Sequence, residues 1–412
     1  MIHFEKFVLD NGLRVIFHED KSTPMAAVNV LYDVGARDED PERTGFAHLF
    51  EHLMFGGSVH IPSYDEPLQM AGGENNAYTT NDLTDYHLQL PAENIETALW
   101  LESDRMLSLA FDENSLEVQR KVVVEEFKEH YINKPYGDVW HKIRELAYKK
   151  HPYRWMTIGK EPGHIEHASL QDVRDFFFKH YTPANAILTI AGNLELEQVK
   201  KVTRKWFGDI PGGTRYLRNL PQEPPQTEPA FLEVRADVPL DALYKVWHVS
   251  SRLDRRYYVM DLITEILGNG ASSRLYERLV KEEQLFSNIQ CSHFGSLDAG
   301  LLYIDGKLVK GVSVQQGEAA LLAELDKIKS EPVGEAELQK VKNRTESLMA
   351  FEDISLTNRA NSLGMYELLG DAGLMNRELE HYQAVTAVQI LEESRAIFTE
   401  DNCSTLHYLG KN

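Results

Sequence analysis

The residues best suited to chemistry lie in the segment HLFEHLMF, residues 48–55, which sets His48, Glu51 and His52 among apolar neighbours. In a helix, residues four apart lie one turn apart on the same face, so the two imidazoles could converge on one ion. A glutamate beside a bound metal is suited to take and return a proton during hydrolysis. The spacing therefore makes a metal site, with Glu51 beside the metal, one interpretation of this segment.

The same segment also fits an ordinary amphipathic helix whose polar face has no chemical role. Apolar residues recur at helical spacing and would face a core: Phe46, Leu49, Phe50, Leu53 and Met54. The opposite face also carries Phe55, which is untypical of a freely solvated surface. A chain of this composition contains H-x-x-E-H by chance with a probability of about one in twenty, so the motif alone leaves both interpretations open.

A catalytic zinc ion usually has three protein ligands, so a carboxylate from elsewhere in the chain is needed. The segment VVVEEFKEHY offers Glu125, Glu126 and Glu129 on a predicted helix. Glu126 follows Val122 and Val123 at helical spacing, on the more apolar side, whereas Glu125 shares a row with Glu129. Periodicity favours Glu126 as the third ligand and leaves Glu125 as the alternative.

The candidate residues of HLFEHLMF must be positioned by the strand that precedes them and by the start of their own helix. Two β-prone runs flank Asn11-Gly12 in FVLDNGLRVIF and predict a hairpin. AAVNVLYDVG, residues 26–35, predicts a half-buried strand, after which Thr44 is the expected helix cap. DYHLQLP (85–91) and the apolar run AILTIAGN (186–193) predict further strands, with long helices between them. The first half is therefore expected to be a sheet packed with helices.

A linker is predicted at residues 221–229, PQEPPQTEP, where four prolines fall in nine positions. We therefore expect an N-terminal zinc-binding catalytic domain, 1–220, and a homologous non-catalytic domain, 230–412. The second half repeats the order of strand, helix and Gly-rich stop, which suggests a duplication. The positions that correspond to the polar triad hold Met260, Ile263 and Thr264. The predicted fold is α+β, with two homologous α/β-sandwich halves, each a mainly antiparallel sheet packed with long helices.

The amino-acid composition restricts which classes of partner this chain is expected to bind. The chain has 43 basic and 64 acidic residues, a net charge of −21, which disfavours nucleic acid. This excess is typical of a soluble surface, with attraction of basic peptides as the alternative. No apolar stretch approaches the roughly 18 residues that span a bilayer, so no membrane partner is expected. The start of the chain lacks a signal-peptide pattern, which favours the cytoplasm, or the periplasm if the chain has been trimmed.

Together these motifs resemble the inverzincin peptidases of the pitrilysin, insulin-degrading-enzyme and mitochondrial-processing-peptidase type, whose signature is H-x-x-E-H. The resemblance covers nearly the whole chain. It includes DNGLRV, VGARDE, GFAHLFEHLMF, GGENNAYTTNDLTDYHLQLP, RKVVVEEF, ANAILTIAGN and GASSRLYERL. It implies a zinc cofactor and hydrolysis of peptide substrates, with Glu51 as the general base.

The resemblance also assigns the third ligand. In the family, a glutamate follows the second histidine by about 75 residues and is preceded by an arginine. Here Glu126 lies 126 − 52 = 74 residues after His52, and Arg120 matches the arginine. Gln119 stands where the family usually has an acidic residue that supports the site. The zinc ligands implied are His48, His52 and Glu126.

The segment NNAYTT resembles the edge strand to which the family's substrates add as a further strand. The resemblance implies substrate contacts from Asn76, Ala77 and Tyr78. Without the resemblance, an ordinary turn into a strand is an equally good interpretation of these residues.

Self-sufficient family members carry an arginine and a tyrosine in the second half, where this chain has Val280 and Ser287. The chain thus resembles a zinc-bearing, half-size subunit that closes its chamber with a homologous subunit lacking the zinc motif, or with a second copy of itself. The alternatives are a non-catalytic structural or assembly subunit of a complex and a peptide-binding module that does not cleave.

Overall fold

The computed structural model describes residues 1–411, which form two compact units. Unit 1 comprises Met1–Glu129, Trp155–Leu220 and Met349–Arg377. Unit 2 comprises His130–Arg154, Pro221–Leu348 and the residues from Glu378 onward.

The bounds of the elements are as follows. The strands are β1 Glu5–Val8, β2 Arg14–Glu19, β3 Met25–Tyr32, β4 Glu74–Thr79, β5 Thr84–Pro91, β6 Ala186–Gly192, β7 Ala230–Ala236, β8 Ala242–Val249, β9 Phe286–His293, β10 Gly300–Leu308 and β11 Cys403–Gly410. The α-helices are α1 Phe46–Leu53, α2 Asp65–Met70, α3 Ile95–Leu107, α4 Glu113–Phe127, α5 Val139–Ala147, α6 Gly163–Glu166, α7 Leu170–His180, α8 Leu196–Phe207, α9 Arg256–Gly268, α10 Val314–Ser330, α11 Glu335–Glu352, α12 Leu356–Leu368, α13 Glu378–Ala384 and α14 Ala387–Ile397.

Unit 1 is built on a six-stranded sheet of order β1-β2-β6-β3-β5-β4. Its pairs are antiparallel except β2 with β6, which is parallel. The predicted hairpin at Asn11-Gly12 is confirmed, because β1 and β2 pair with Glu5 opposite Phe17. β4 has a partner on one side only and is therefore an edge strand.

The central strand β3 was expected to be half-buried, and this expectation is wrong. It is buried along almost its whole length because both of its faces are covered. Ala27 and Leu31 pack against residues of α12, while Val28 and Val30 point to the opposite face, as alternation requires, and are buried there. The covering helix comes from residues 356–368, far along the chain.

Unit 2 is built on a five-stranded sheet of order β7-β11-β8-β10-β9. This is the order β2-β6-β3-β5-β4 of unit 1, and the pair β7 with β11 is again the parallel one. Helix α5 covers one face of the sheet, where its Ile143 packs in a core with Tyr244 and Leu406. The predicted α+β class with two mainly antiparallel sheets and long helices is confirmed.

The predicted domains 1–220 and 230–412 differ from these units by two exchanged segments. Residues 130–154, with α5, belong to unit 2, and residues 349–377, with α12, belong to unit 1. The physical reason is the same in both units, since each sheet has a second apolar face that a helix from the other half of the sequence covers.

The predicted linker, 221–229, lies in unit 2. Its Glu223 carboxylate accepts hydrogen bonds from the backbone N–H groups of Lys149, Lys150 and His151, at 2.7, 2.9 and 2.8 Å. This part of the linker is therefore fixed to the unit. Among residues 1–411, no helix is both long enough and apolar enough to cross a bilayer.

Candidate metal centre

Helix α1 presents the chemical residues on one face and anchors itself by the other. The predicted apolar stripe is confirmed, since all five of its residues are buried: Phe46, Leu49, Phe50, Leu53 and Met54. The Phe50 ring stacks at 5.0–6.1 Å on rings of α7 and of the residue that follows it, namely Phe176, Phe177 and Tyr181. This anchoring fixes the rotation of α1 and therefore the direction of its polar face.

The start of α1 is fixed by a buried carboxylate, and the expectation that Thr44 caps the helix is wrong. Glu39 accepts hydrogen bonds from the backbone N–H groups of Gly45 and Ala47, each at 2.9 Å. Gly45 is the cap residue and has φ 92°, a conformation that disfavours Thr or any other residue with a Cβ. The Thr44 hydroxyl instead lies 2.8 Å from Nδ1 of His164.

The structure brings His48, His52 and Glu126 together. The two Nε2 atoms are 3.3 Å apart, and Glu126 Oε2 lies 3.7 Å from that of His48 and 3.5 Å from that of His52. Ligands at about 2.0–2.2 Å from a tetrahedral zinc ion are themselves about 3.3–3.6 Å apart. The three atoms thus stand within about 0.1 Å of the separations expected of three ligands around one zinc ion.

The solvent exposure of the three side chains and the protonation of His48 are both suited to metal binding. The side chains of His48, His52 and Glu126 are 13%, 25% and 35% exposed, so the cluster is reachable from solvent. Burial lowers the pKa of His48, although the Glu126 carboxylate acts to raise it. A lowered pKa favours the neutral imidazole, which is the form that binds a metal. Among the described residues, this is the one cluster of at least three such side chains with metal-binding spacing.

The other carboxylates considered as third ligand lie outside the cluster. Glu125 is exposed and forms an ion pair with Lys128 at 2.7 Å. Glu129 is exposed beyond the end of α4. Arg120, the arginine of the motif, donates to the backbone carbonyl of Ala168 and so ties α4 to the segment before α7. Gln119 is half-buried one position earlier on α4.

Glu51 lies on the same face of α1 as the histidines, and a residue of the sheet holds its carboxylate in place. The Thr79 hydroxyl donates a hydrogen bond of 2.6 Å to its Oε2. Thr79 ends β4, on the strand face that also carries Asn75 and Ala77. Thr79 was not among the predicted site residues. Strand alternation puts it on one face with Ala77, but only the contact of α1 with β4 shows what it touches.

The predicted substrate residues Asn76, Ala77 and Tyr78 lie in the edge strand β4, next to Thr79. Asn76 and Tyr78 are exposed, and their partners across the ladder are His87 and Asp85 of β5. The outer edge of β4 has no strand partner among residues 1–411, so its backbone can pair with an added strand.

A buried ion pair supports the sheet beneath the site. The Arg105 guanidinium makes a bidentate contact with Glu102 at 2.6–3.0 Å, and both side chains are almost fully buried. The guanidinium also lies over three rings, at 4.4 Å from Tyr64, 4.5 Å from Tyr86 and 5.2 Å from Phe55. Phe55, which sequence periodicity placed on the polar face of α1, is therefore held by this cluster.

Unit 2 has no counterpart of the triad among the residues described. Its helix α9 follows β8 as α1 follows β3, and Met260, Ile263 and Thr264 are buried in it. Val280 and Ser287, which stand at the family's arginine and tyrosine positions, lie after α9 and in β9. The Ser287 hydroxyl donates to the backbone carbonyl of Lys307 at 3.0 Å.

The two units share one strand order, and among the described residues only unit 1 carries a candidate metal-binding triad. This defines a protein built on a repeated scaffold with one candidate metal centre. Comparison with known proteins agrees. Residues 14–159 match the family described as Insulinase (Peptidase family M16), and residues 167–345 match the Peptidase M16 inactive domain. The chain belongs to the M16 peptidase family.

Two relatives and one solved structure extend over most of the chain. A Helicobacter pylori protein named Zinc protease PqqE is 30% identical over 347 residues, which are 82% of this chain and 77% of that one. A Bacillus subtilis protein named Uncharacterized zinc protease YmxG is 25% identical over 402 residues, 96% of each chain. The crystal structure of a protease from Helicobacter pylori aligns with TM-score 0.92 and 25% identity, over 99% of this chain and 100% of that chain.

Proposed function

We propose that this chain is the zinc-bearing subunit of an endopeptidase that hydrolyses peptides or unfolded protein segments. The observation that carries the proposal is the convergence of His48, His52 and Glu126 on ligand atoms 3.3–3.7 Å apart, with Glu51 on the same helix face. The names of the relatives, zinc proteases, support the same metal and the same chemistry.

Each residue has a definite role in this proposal. His48, His52 and Glu126 hold zinc, which when bound supplies a Lewis acid that polarises a peptide carbonyl and acidifies a water molecule. Glu51 accepts the proton of the attacking water and passes it to the leaving amine. Thr79 engages one carboxylate oxygen of Glu51 and so presents the other to the proton.

The edge strand β4 binds the peptide in this proposal. An extended peptide adds beside β4 through backbone hydrogen bonds, with main-chain contacts to Asn76, Ala77 and Tyr78. The support is the free outer edge of β4 and the position of Thr79, at the end of the same strand, against Glu51.

The test is zinc content and peptide hydrolysis in three variants. Glu51→Gln is expected to retain one zinc per chain and to lower kcat by about 10²–10⁴-fold, because a proton acceptor is removed while the ligands remain. His52→Ala should lose both zinc and activity. Glu125→Gln, the neighbouring exposed carboxylate, is the matched control and should retain both. Unchanged hydrolysis by Glu51→Gln would refute the role of Glu51.

We further propose that full activity needs a homologous subunit lacking the zinc motif, or a second copy of this chain. The support is Val280 and Ser287 at the positions of the family's arginine and tyrosine. A relative covering 49% of this chain, 29% identical, is named Mitochondrial-processing peptidase subunit beta, from Saccharomyces cerevisiae. The purified chain should hydrolyse peptides weakly and gain activity when such a subunit is added. Full activity of the chain as a monomer would contradict this.

A second candidate is a structural subunit without catalysis. It is favoured by one relative, the human Cytochrome b-c1 complex subunit 1, which is 27% identical over 206 residues, 50% of this chain and 42% of that one. A chain that is folded but binds no zinc would support this function. Zinc binding with peptide affinity but without cleavage products would instead indicate a peptide-binding module.

A further inference from the structure

Unit 2 contains a cavity of about 430 Å³ on the sheet face opposite α5. Its floor is formed by side chains of β8 and β11, and its walls by α10, β7 and the segment after α14. Trp247, Phe398 and Leu322 supply apolar lining. Ligand pockets have volumes of roughly 300–1,000 Å³ and combine apolar walls with a few convergent polar groups. None of the residues of the metal centre lines this cavity.

The convergent polar group is the ammonium of Lys245, a side chain that is only 6% exposed. It donates hydrogen bonds to Glu318 Oε1 and to the Thr405 hydroxyl, both at 2.7 Å. The other oxygen of Glu318 lies 2.8 Å from Nε2 of His407, so both of its oxygens are engaged. These two bonds use two of the three N–H groups of Lys245, and the thiol of Cys403, a weak acceptor that interacts with the ammonium, is the neighbour left to the third N–H. A carbonyl oxygen entering the cavity would be a better partner for that N–H.

The charges of the lining disfavour an anionic ligand. Lys245 is balanced by Glu318, and at the rim Lys329 is paired with Asp326 at 2.7 Å. Glu400 is the remaining charged side chain of the lining. The cavity therefore carries no excess positive charge that would attract an anion, while it offers a hydrogen-bond donor between aromatic walls.

In unit 1, helix α8 covers the part of the sheet that corresponds to this cavity. There, α8 follows β6 and packs against β2 and α3. The equivalent strands in unit 2 are β11 and β7, and the helix equivalent to α3 is α10, since each follows the matching strand. On β2, Phe17 is 2% exposed, whereas Phe231 of β7 is 58% exposed. The place beside Phe231, which lines the cavity, is therefore open to an added apolar group.

We infer that this cavity binds a peptide segment through one large apolar residue, whose side chain packs between Trp247 and Phe398 and whose backbone carbonyl accepts a hydrogen bond from Lys245. The apolar cover that α8 gives unit 1 and the neutral, donor-bearing floor of the cavity both lead to this ligand chemistry. The site is distinct from the proposed hydrolysis, because it uses no residue of the metal centre.

The test is an NMR titration of the full chain with N-acetyl-L-leucinamide and N-acetyl-L-phenylalaninamide, followed at the Trp247 indole. Ligands of this size are expected to bind with Kd on the order of 1 mM. N-acetylglycinamide, which lacks the apolar side chain, should bind at least about tenfold more weakly. The carboxylate 3-phenylpropionate should bind no more tightly than the amides, and a preference for it would overturn the inference.

Two variants locate the binding. Leu322 is 42% exposed at the cavity rim, so Leu322→Trp should fill the cavity without disturbing the core and weaken both amides at least about tenfold. Val388→Trp, at a 56% exposed position of α14 that does not line the cavity, is the matched control and should leave binding unchanged. Unaltered binding by Leu322→Trp would overturn the inference.

Discussion

At the level of single residues, Thr79 fixes the position of the Glu51 carboxylate, the general base of the proposed hydrolysis. Its hydroxyl is the one hydrogen-bond donor to Glu51 that the structure gives among the described residues, at 2.6 Å. Thr79 also lies in the strand that is proposed to bind the peptide, so one residue couples the position of the substrate to that of the base. It is a positioning residue, since it acts through Glu51.

Thr79→Val removes this hydrogen bond and keeps the shape of the side chain. We expect kcat to fall about two- to tenfold, as for the loss of one hydrogen bond of about 0.5–1.5 kcal/mol, with zinc content and KM nearly unchanged. Thr79→Ser keeps the hydroxyl and should restore kcat. A rise in KM or a loss of zinc of the same size, with kcat retained, would show that Thr79 has a merely structural role.

The three candidate ligands could be predicted from sequence, but the histidines and the glutamate were found for different reasons. Helical spacing brought His48 and His52 together, while the choice of Glu126 over Glu125 needed the resemblance to a family. The structure supports Glu126, because its Oε2 lies 3.5 Å from Nε2 of His52, whereas Glu125 pairs with Lys128. Thr79 could not be found in this way, since its role depends on a helix and a strand that meet only in the folded chain.

At the level of elements, the start of α1 depends on Glu39. This carboxyl group accepts hydrogen bonds from two backbone N–H groups that have no partner within the helix. Burial raises its pKa from 4.5 to about 8, although the two N–H bonds act in the opposite direction. The stability of the loop that holds α1, the helix of the candidate metal centre, is therefore linked to protonation of Glu39.

This linkage gives a testable pH dependence. The folded-state pKa of Glu39 lies above its unfolded value, so its contribution to stability is complete below about pH 4.5 and is lost as the pH rises through about 8. Glu39→Gln does not titrate. The free energy of unfolding of the wild type, minus that of Glu39→Gln, should therefore decrease between these two pH values in denaturant titrations. A difference that stays constant or grows over this range would contradict the assignment.

The elements themselves were largely predictable, and their environments were not. The hairpin at Asn11-Gly12 follows from local turn chemistry, and β6 follows from an unbroken apolar run. The cap at Thr44 failed because Gly45 takes a conformation that sequence does not display. The half-burial of β3 failed because the covering helix α12 begins 356 − 32 = 324 residues after the strand ends.

At the level of the whole molecule, two segments are exchanged between the halves of the sequence. Unit 1 needs residues 349–377, and unit 2 needs residues 130–154. In unit 1 the borrowed helix α12 buries the faces of Ala27, Leu31 and Ala191 on the central strands. Each unit is therefore incomplete if the chain is divided at residues 221–229.

Expression of residues 1–220 alone tests this conclusion. The fragment should expose the sheet face that α12 covers, bind the dye ANS and fail to unfold cooperatively. The control is the same fragment joined through a flexible Gly/Ser linker to residues 349–377, which should reduce dye binding and restore a cooperative transition. A compact, cooperatively unfolding fragment 1–220 without α12 would contradict the requirement.

The exchanged helix also sets an order of events during synthesis. When residue 220 leaves the ribosome, the sheet of unit 1 has all six strands but only one covered face, and 377 − 220 = 157 further residues must follow before its last segment is available. At about 5–20 residues per second this takes about 8–30 s. During that interval any sheet formed by these strands exposes the apolar face that α12 covers in the finished protein, and such a surface is prone to association with other chains.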